Sequence, residues 1–314
     1  MLQALETVLQ VVAAGVTVGL IYGLMCVGLG MIFGVMRIIN FAQGEFLMLG
    51  MYATFFLASY FSDGSMLPWV PIFLVAPAAI IVFVVGSALY VIALRPIVGR
   101  RSISEDGRHN AQLVITLGLS LVLQSAALMI FGSVPRSVFS SYASSALVLG
   151  PLIGDEVTIF LNKARLIASA ISILVAIFVS IFVAKTKIGR SIRATADDKD
   201  AAMYSGIDVT RVYIFSFGTG AAITAAAGGL LATTNSFQPY VGLDFVIIMY
   251  AAVILGGVGS IKGAFFGGLI VGIVQQASTL ILPHQLQGTA IFVVLLATLL
   301  FFPRGLFGRD AERV

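Results

Sequence analysis

Long stretches without a charged side chain are the feature of this sequence that most limits its fold. No Asp, Glu, Lys or Arg occurs in Thr7–Met36, Leu67–Leu94 or Ala111–Pro135. Each stretch is longer than the ~20 apolar residues that cross a hydrocarbon core of about 30 Å. Only 10% of the residues are charged, whereas soluble domains carry roughly 25%. The sequence therefore predicts an all-α, polytopic membrane helix bundle.

Nine apolar segments are long enough, or nearly long enough, to cross the bilayer. We expect about eight or nine transmembrane helices, some of them broken or short, in a single membrane domain of residues 1–314. The 33 glycines are expected to allow close helix packing rather than to make loops flexible. The segments are Thr7–Met36, Phe41–Phe61, Leu67–Leu94, Ala111–Gly132, Leu166–Ala184, Val212–Thr233, Phe245–Val258, Gly263–Leu282 and Thr289–Phe302.

Basic residues gather in three places, and their positions predict the orientation of the chain. Arg95–Arg108 holds four arginines, Lys185–Arg211 holds six basic residues, and the tail contributes Arg304, Arg309 and Arg313. Because cytoplasmic loops are enriched in Lys and Arg, all three regions are expected inside and the N-terminus outside. The formal net charge of +4 is too small and dispersed to indicate nucleic acid as a partner.

The sequence shows no catalytic or metal-binding signature. No G-x-x-x-x-G-K-[S/T] phosphate-binding pattern occurs, and the similar run Gly256–Gly263 has Lys262 in the wrong register. That run is interpreted as a tight turn between two packed spans. His109 and His284 have no partner at ligand spacing, and the single Cys26 allows no disulfide framework. We expect no enzyme activity, no metal site and no cofactor bound by this chain.

Three polar side chains, Asn40, Gln43 and Glu45, interrupt two apolar runs. An isolated polar group in hydrocarbon is costly unless it is paired. One interpretation is a helix break whose side chains face a pore or a partner subunit. The other is a cytoplasmic turn in which Asn40 caps the next helix and Glu45 lies in its first turn. The residue chemistry favours neither interpretation, and both can hold at once.

A second polar stretch, residues 185–211, is too polar to cross the bilayer and is predicted to be a cytoplasmic loop. Thr195 is a candidate N-cap, Asp197 and Asp198 suit a first helical turn, and Gly206 can end a helix of about ten residues. This helix is interpreted either as a solvated loop helix or as a rigid docking element for a cytoplasmic partner.

A third set of polar residues, Thr116, Ser120 and Gln124, is spaced four residues apart and shares one helix face. Interhelical hydrogen bonding is the usual role of such groups in membranes. Lining a path for a polar, uncharged or zwitterionic solute is the alternative. The scarcity of charge at bilayer depth makes an ion-driven secondary carrier the weaker hypothesis.

Three runs together resemble the permease subunits of ABC importers for branched-chain amino acids. They are Ile39-Asn40-Phe41-Ala42-Gln43-Gly44-Glu45, Gly189-Arg190 through Gly206-Ile207, and Val253-Ile254-Leu255-Gly256-Gly257-Val258-Gly259-Ser260 with Gly263. Gln43 departs from the His that is frequent at its position in that family. The resemblance implies a multi-pass subunit of the bacterial inner membrane. Its partners would be a second permease, two cytoplasmic ATP-binding subunits that use ATP, and a periplasmic binding protein.

The resemblance also implies roles for residues. The helix predicted at 195–205 becomes the element that contacts the ATPase, and the solute is expected to be a branched-chain or other apolar amino acid. Urea, short amides and aromatic acids are alternatives from the same branch. Candidates for the translocation pathway are Asn40, Gln43, Glu45, Thr116, Ser120 and Gln124. Candidates for ATPase coupling are Arg190, Arg193, Thr195, Asp197, Asp198, Asp200, Ala201, Ala202, Tyr204 and Gly206.

Overall fold

The computed structural model describes residues 2–61, 70–98, 105–138, 145–150, 158–283, 286–302 and 305–307. Helices account for most of these residues, with one short antiparallel pair of strands. The bounds are α1 (Leu2–Met36), α2 (Gln43–Phe61), α3 (Val70–Phe73), α4 (Val75–Leu89), a π-helical turn (Tyr90–Leu94), α5 (Arg95–Val98), α6 (Glu105–Phe131), β1 (Ala146–Leu149), β2 (Ile159–Asn162), α7 (Lys163–Lys185), α8 (Lys187–Asp197), α9 (Lys199–Tyr204), α10 (Val209–Ala232), α11 (Val241–Gly256), α12 (Ile261–Ser278) and α13 (Gln287–Phe301).

The helices match the predicted membrane spans. Every one of the nine predicted segments overlaps one of the long apolar helical stretches or one of two shorter apolar helices, Val241–Gly256 and Gln287–Phe301. The prediction of a polytopic helical membrane protein with some short helices is confirmed. The long stretches are Leu5–Met36, Gln43–Phe61, Pro71–Ile97, Asn110–Phe131, Lys163–Lys185, Val209–Ala232 and Ile261–Ser278.

Some predictions fall on residues that the structure does not describe. Arg304, Arg309, Arg313 and His284 lie outside the described residues, and so does the segment 99–104 within the first basic region. The side chain of His109 is not described either. The cytoplasmic assignment of these regions and the single-domain assignment stay predictions.

The hairpin of β1 and β2 is an element that the sequence did not predict. Its strands pair antiparallel with Ala146 opposite Asn162. Gln10 of α1 bonds the backbone of Phe160 on both sides, accepting from its N–H at 2.9 Å and donating to its carbonyl at 2.6 Å. Asn162 then caps α7 by accepting from the N–H of Arg165. The hairpin therefore joins the N-terminal part of α1 to the first turn of α7.

The core of the bundle is α1, whose residues from Ile21 to Ile32 are buried. Its glycines at 15, 19 and 23 face α12, where the glycines at 268 and 272 approach the same seam. A Cβ atom on Gly19 would lie 2.5 Å from the carbonyl oxygen of Leu269. Small residues at this spacing let helix backbones touch in a membrane. The prediction that glycines serve helix packing is confirmed here.

The run Gly256–Gly263 forms the tight turn that the sequence predicts. Gly257 and Gly259 have positive φ angles of 99° and 86°, which glycine adopts without strain. The hydroxyl of Ser260 accepts from the N–H of Gly263 at 3.0 Å and caps α12. The turn therefore connects two closely packed helices.

We expect Gly19→Val to destabilise the protein more than Gly118→Val. The new side chain at position 19 meets the backbone of α12, and overpacking of this kind typically costs about 1–3 kcal/mol. Gly118 has open space where its Cβ would lie, so it is a matched control within another membrane helix. The measurement is the thermal unfolding midpoint in detergent. Equal midpoints for the two variants would contradict the tight α1–α12 seam.

Introduced thiols should report the predicted orientation. The native Cys26 is fully buried, so the parent chain gives a silent background for a membrane-impermeant maleimide. Tyr60→Cys, at the exposed end of α2, should label in intact cells. Tyr204→Cys, in the predicted cytoplasmic loop, should label only after permeabilisation. The reverse labelling pattern would show that the chain has the opposite orientation in the membrane.

Candidate functional site

The chain turns back into the bundle after α1, so that α2 begins at half depth. Arg37 ends α1 with a left-handed φ of 52°. The amide nitrogen of Gln43 donates to the carbonyl of Gly220 at 3.3 Å and to the hydroxyl of Thr224 at 2.6 Å. Both partners lie near the middle of the span Val209–Ala232. Residues 37–42 therefore run without helical structure from the C-terminal end of α1 to the middle of the bundle.

Side chains satisfy the polar groups of this helix break. Asn40 accepts from the N–H of Ala42 at 3.2 Å and donates to Oε1 of Gln43 at 3.0 Å. Thr116 of α6 donates to the carbonyl of Ile39 at 3.2 Å. The helix break of the first interpretation exists, and Glu45 lies in the first turn of α2 as the second interpretation predicts. Asn40 does not cap α2, because the helix begins at Gln43 and Asn40 stabilises the turn before it. The break lies at half depth rather than at the cytoplasmic surface.

Glu45 lies at the same depth and faces two other helices. Its Oε1 accepts from the hydroxyl of Ser120 at 3.0 Å, and Ser120 lies in the middle of the span Asn110–Phe131. A Cβ atom on Gly242 would lie 2.7–2.9 Å from the carboxyl atoms of Glu45. The first turns of α2 and α11 thus meet at Glu45, where the partial positive charges of both helix N-termini favour a negative group.

The α11 helix is short, as the sequence predicts for Phe245–Val258. Its sixteen residues extend about 24 Å, less than the ~30 Å of a hydrocarbon core. The chain before it, residues 233–240, runs from the C-terminal end of α10 to the vicinity of Glu45. Two helices, α2 and the shorter α11, therefore begin inside the bundle and meet at their first turns.

Polar residues on both sides line the contact between α2 and α6, which we call the α2–α6 seam. On one side are the carbonyl of Ile39 and the carboxylate of Glu45; on the other are Gln112, Thr116, Ser120 and Gln124 of α6. The predicted common face of Thr116, Ser120 and Gln124 is consistent with the bonds of the first two to Ile39 and Glu45. Gln112, buried on the same face, was not among the predicted residues.

Two atoms of this seam lack a partner. Within the described residues, neither Oε2 of Glu45 nor Nε2 of Gln124 makes a hydrogen bond, although both atoms are buried. By contrast, the amide groups of Asn40 and Gln43 are paired within the protein. The geometry therefore favours a structural role for Asn40 and Gln43 and leaves Glu45 and Gln124 available to a solute.

The polar site is closed in this structure. Asn40, Gln43, Glu45 and Thr116 are 0% exposed and Ser120 is 1% exposed. The sequence did not single out Thr224, Gly220 or Gly242, because they lie in runs of small residues without a distinguishing pattern.

An aromatic cluster of Tyr52, Phe55, Phe56, Phe131 and Phe237 lies toward the C-terminal end of α2 from Glu45. Tyr52 stacks on Phe131 with ring centroids 4.3 Å apart and meets the edge of Phe237 at 5.0 Å. The guanidinium of Arg136 lies 5.2 Å and 5.4 Å from the rings of Phe55 and Phe56. Arg136 and Phe237 also exchange two backbone hydrogen bonds. The cluster therefore lies beside the polar site, toward the C-terminal ends of α2 and α6.

The predicted helix at 195–205 is wrong in its bounds. Thr195 is not an N-cap but a buried residue inside α8, which begins after Thr186, whose hydroxyl accepts from the N–H of Gly189. Asp197 is the last residue of α8 rather than part of a first turn. Asp198 caps the separate, six-residue α9. Gly206, with φ 81°, follows the end of α9 as predicted.

One face of α8 and α9 packs against the bundle. Gly189, Ile192 and Thr195 are buried, as is Ala202 of α9. The guanidinium of Arg193 turns back and donates to the carbonyl of Val183 in α7. These contacts attach both helices to the membrane domain.

The opposite face, which we call the α8–α9 surface, is open. Tyr204 is 92% exposed, and the apolar side chains of Ile188 and Met203 are also exposed. Exposed large apolar groups on polar helices are typical of a docking surface. The remaining coupling candidates on this surface are Arg190, Asp197, Asp198, Asp200, Ala201 and Gly206, all exposed.

Helices that begin at half depth and meet around buried polar groups are typical of membrane transport proteins. Residues 11–302 match the model of the family described as branched-chain amino acid transport system, permease component. The chain belongs to this family, so the resemblance stated from the sequence motifs is confirmed.

Individual relatives agree with the family match. The high-affinity branched-chain amino acid transport system permease protein LivH of Salmonella typhimurium is 31% identical over 98% of this chain and 97% of its own length. The corresponding protein BraD of Pseudomonas aeruginosa is 29% identical over 98% of both chains. The ribose import permease protein RbsC of Bacillus subtilis is 35% identical over 31% of this chain and 32% of its own. Permeases of ABC importers are thus this chain's relatives.

We expect Gln43→Leu and Thr224→Val to be energetically coupled. Each removes one partner of a buried hydrogen bond, which typically costs about 1–3 kcal/mol, and the double variant should lose less than the sum. Thr219→Val is the control, since its hydroxyl bonds only the carbonyl of Phe215 in its own helix. The measurement is a double-mutant cycle of unfolding free energies in detergent. Strict additivity would show that the pair does not hold α2.

Proposed function

We propose that this chain imports branched-chain or other apolar amino acids as the membrane-spanning subunit of an ATP-driven importer. The observation that supports it best is the closed polar site at half depth, which lies between the aromatic cluster and the exposed α8–α9 surface. Membership of the branched-chain amino acid permease family supports the solute class. Urea, short amides and aromatic acids remain the alternatives to be tested as solutes.

In this proposal the partners are a second permease, identical or homologous, two cytoplasmic ATP-binding subunits and a periplasmic substrate-binding protein. The complex lies in the bacterial inner membrane. Side chains such as Met129 of α6 and Leu300 of α13 are largely exposed and supply apolar surface for lipid or for the second permease. The ATP-binding subunits bind and hydrolyse ATP, and this chain forms part of the translocation pathway for the solute.

The α8–α9 surface transmits the movement of the ATPase in this proposal. α8 packs on α7 and also contacts α1 and α10. α10 carries Gly220 and Thr224, which hold Gln43, and Thr224 also donates to the carbonyl of Met25 in α1 at 3.3 Å. A displacement of α8 is therefore transmitted through α1 and α10 to the helix break.

Co-purification and reconstitution test the importer against a stand-alone carrier. The tagged chain, purified from its native host in mild detergent, should carry ATP-binding subunits and should import L-leucine into liposomes only with ATP and binding protein. If no ATPase accompanies the chain and the purified chain alone transports solute, the proposal fails.

We expect Tyr204→Ala to weaken ATPase association at least tenfold while membrane insertion stays normal. A large, almost fully exposed aromatic side chain is the kind of residue that anchors a protein interface. Tyr60→Ala is the matched control, because Tyr60 is 82% exposed at the opposite end of the bundle. The measurement is the amount of ATPase retained on the immobilised chain. Normal ATPase retention by the Tyr204 variant, or an equal loss of ATPase from both variants, would show that the α8–α9 surface does not couple the chain to the ATPase.

A further inference from the structure

The two unpartnered atoms of the α2–α6 seam form a complementary pair. Oε2 of Glu45 is a carboxyl oxygen that accepts hydrogen bonds, and Nε2 of Gln124 is a neutral donor. We propose that together they bind the zwitterionic head group of an α-amino acid. The ammonium group donates to Glu45 and the carboxylate group accepts from Gln124. This assignment rests on the proposed function and specifies the site within it.

The spacing of the two residues suits this head group. Ser120 bonds Oε1 of Glu45, so the carboxylate of Glu45 is level with residue 120 of α6. Gln124 follows one turn later, about 6 Å along the helix axis. The ammonium and carboxylate of an α-amino acid are attached to one carbon, and each charge-assisted hydrogen bond adds about 2.8 Å. The head group therefore bridges a gap of this size.

The charge of the site also fits an amino acid. Glu45 is fully buried, and no basic side chain in the described ranges forms an ion pair with it. A buried carboxylate with an unpaired oxygen is costly. The ammonium group of the solute supplies the missing donor and the missing positive charge. Gln124 donates to the solute carboxylate without adding a fixed positive charge that would attract Glu45 itself.

Solutes that lack one charged group test the assignment directly. The probes are radiolabelled L-leucine, 4-methylpentanoate, which lacks the ammonium group, and 3-methylbutylamine, which lacks the carboxylate. Binding is measured on the assembled permease–ATPase complex in nanodiscs, without binding protein. The wild-type complex should prefer leucine over each analogue about tenfold or more, because hydrogen bonds to charged groups are lost.

The variants should separate the two contacts. Glu45→Gln should abolish the preference for leucine over 4-methylpentanoate and keep the preference over the amine. Gln124→Leu should do the opposite. Glu45→Asp keeps the charge and should keep both preferences, which covers the case in which Glu45→Gln fails to assemble. Thr54→Val is the control, since its buried hydroxyl also lacks a partner but faces Gly229 of α10.

The remaining outcomes would overturn either the head-group assignment or the importer proposal. Unchanged preferences in both seam variants, or an equal loss of all three probes, would overturn the head-group assignment. Absence of leucine binding by a wild-type complex that imports leucine with ATP would also overturn it, while leaving the importer proposal intact. A wild-type chain that assembles with no ATPase would instead reject the importer proposal.

Discussion

The hydrogen bonds that Gln43 makes with α10 are the interaction on which the rest of this structure depends. Residues 37–42 leave the helical conformation inside the bundle, where a membrane offers no water to satisfy backbone groups. Hydrogen bonds within the protein take the place of that water. Gln43 bonds Gly220 and Thr224, and Thr116 bonds the carbonyl of Ile39. Only because this break is stable can α2 begin at half depth and bring Glu45 to the first turn of α11.

Small residues make that arrangement possible, because the bonds require backbones in contact. A Cβ atom on Gly28 would overlap the hydroxyl of Thr224 and crowd the carbonyl of Gly220, the two groups that hold Gln43. A Cβ atom on Gly50 or Gly228 would likewise overlap the backbone of the facing helix. The glycines thus bring α1, α2 and α10 close enough for hydrogen bonds of normal length to form across them.

The spans and the polar motifs could be predicted from patterns within single segments of the sequence. The depth at which those segments meet could not be predicted in this way. Charge-free runs indicated the spans, and polar residues between apolar runs indicated Asn40, Gln43 and Glu45. Thr224 and Gly242 carried no such signal, because their roles come from contacts with helices far away in the chain.

The predicted cap at Thr195 failed for a related reason. Thr186 and Asp198 are equally good caps by type, and packing of the 189–192–195 face against the bundle places Thr195 inside α8. Four-residue strands such as β1 were too short to produce a pattern.

The contacts of α6 differ in kind from those between the other central helices. α1 and α12 touch through their backbones, so separating them would open a close-packed seam along several turns. α6 meets α2 through Thr116 and Ser120, whose hydrogen bonds each contribute a net ~1 kcal/mol, and through the stacking of Phe131 on Tyr52. Much of its remaining apolar surface is exposed. A solute that bonds Glu45 and Gln124 would offset the loss of the Ser120 contact as the seam opens. The α2–α6 seam therefore separates at a lower cost than the α1–α12 seam.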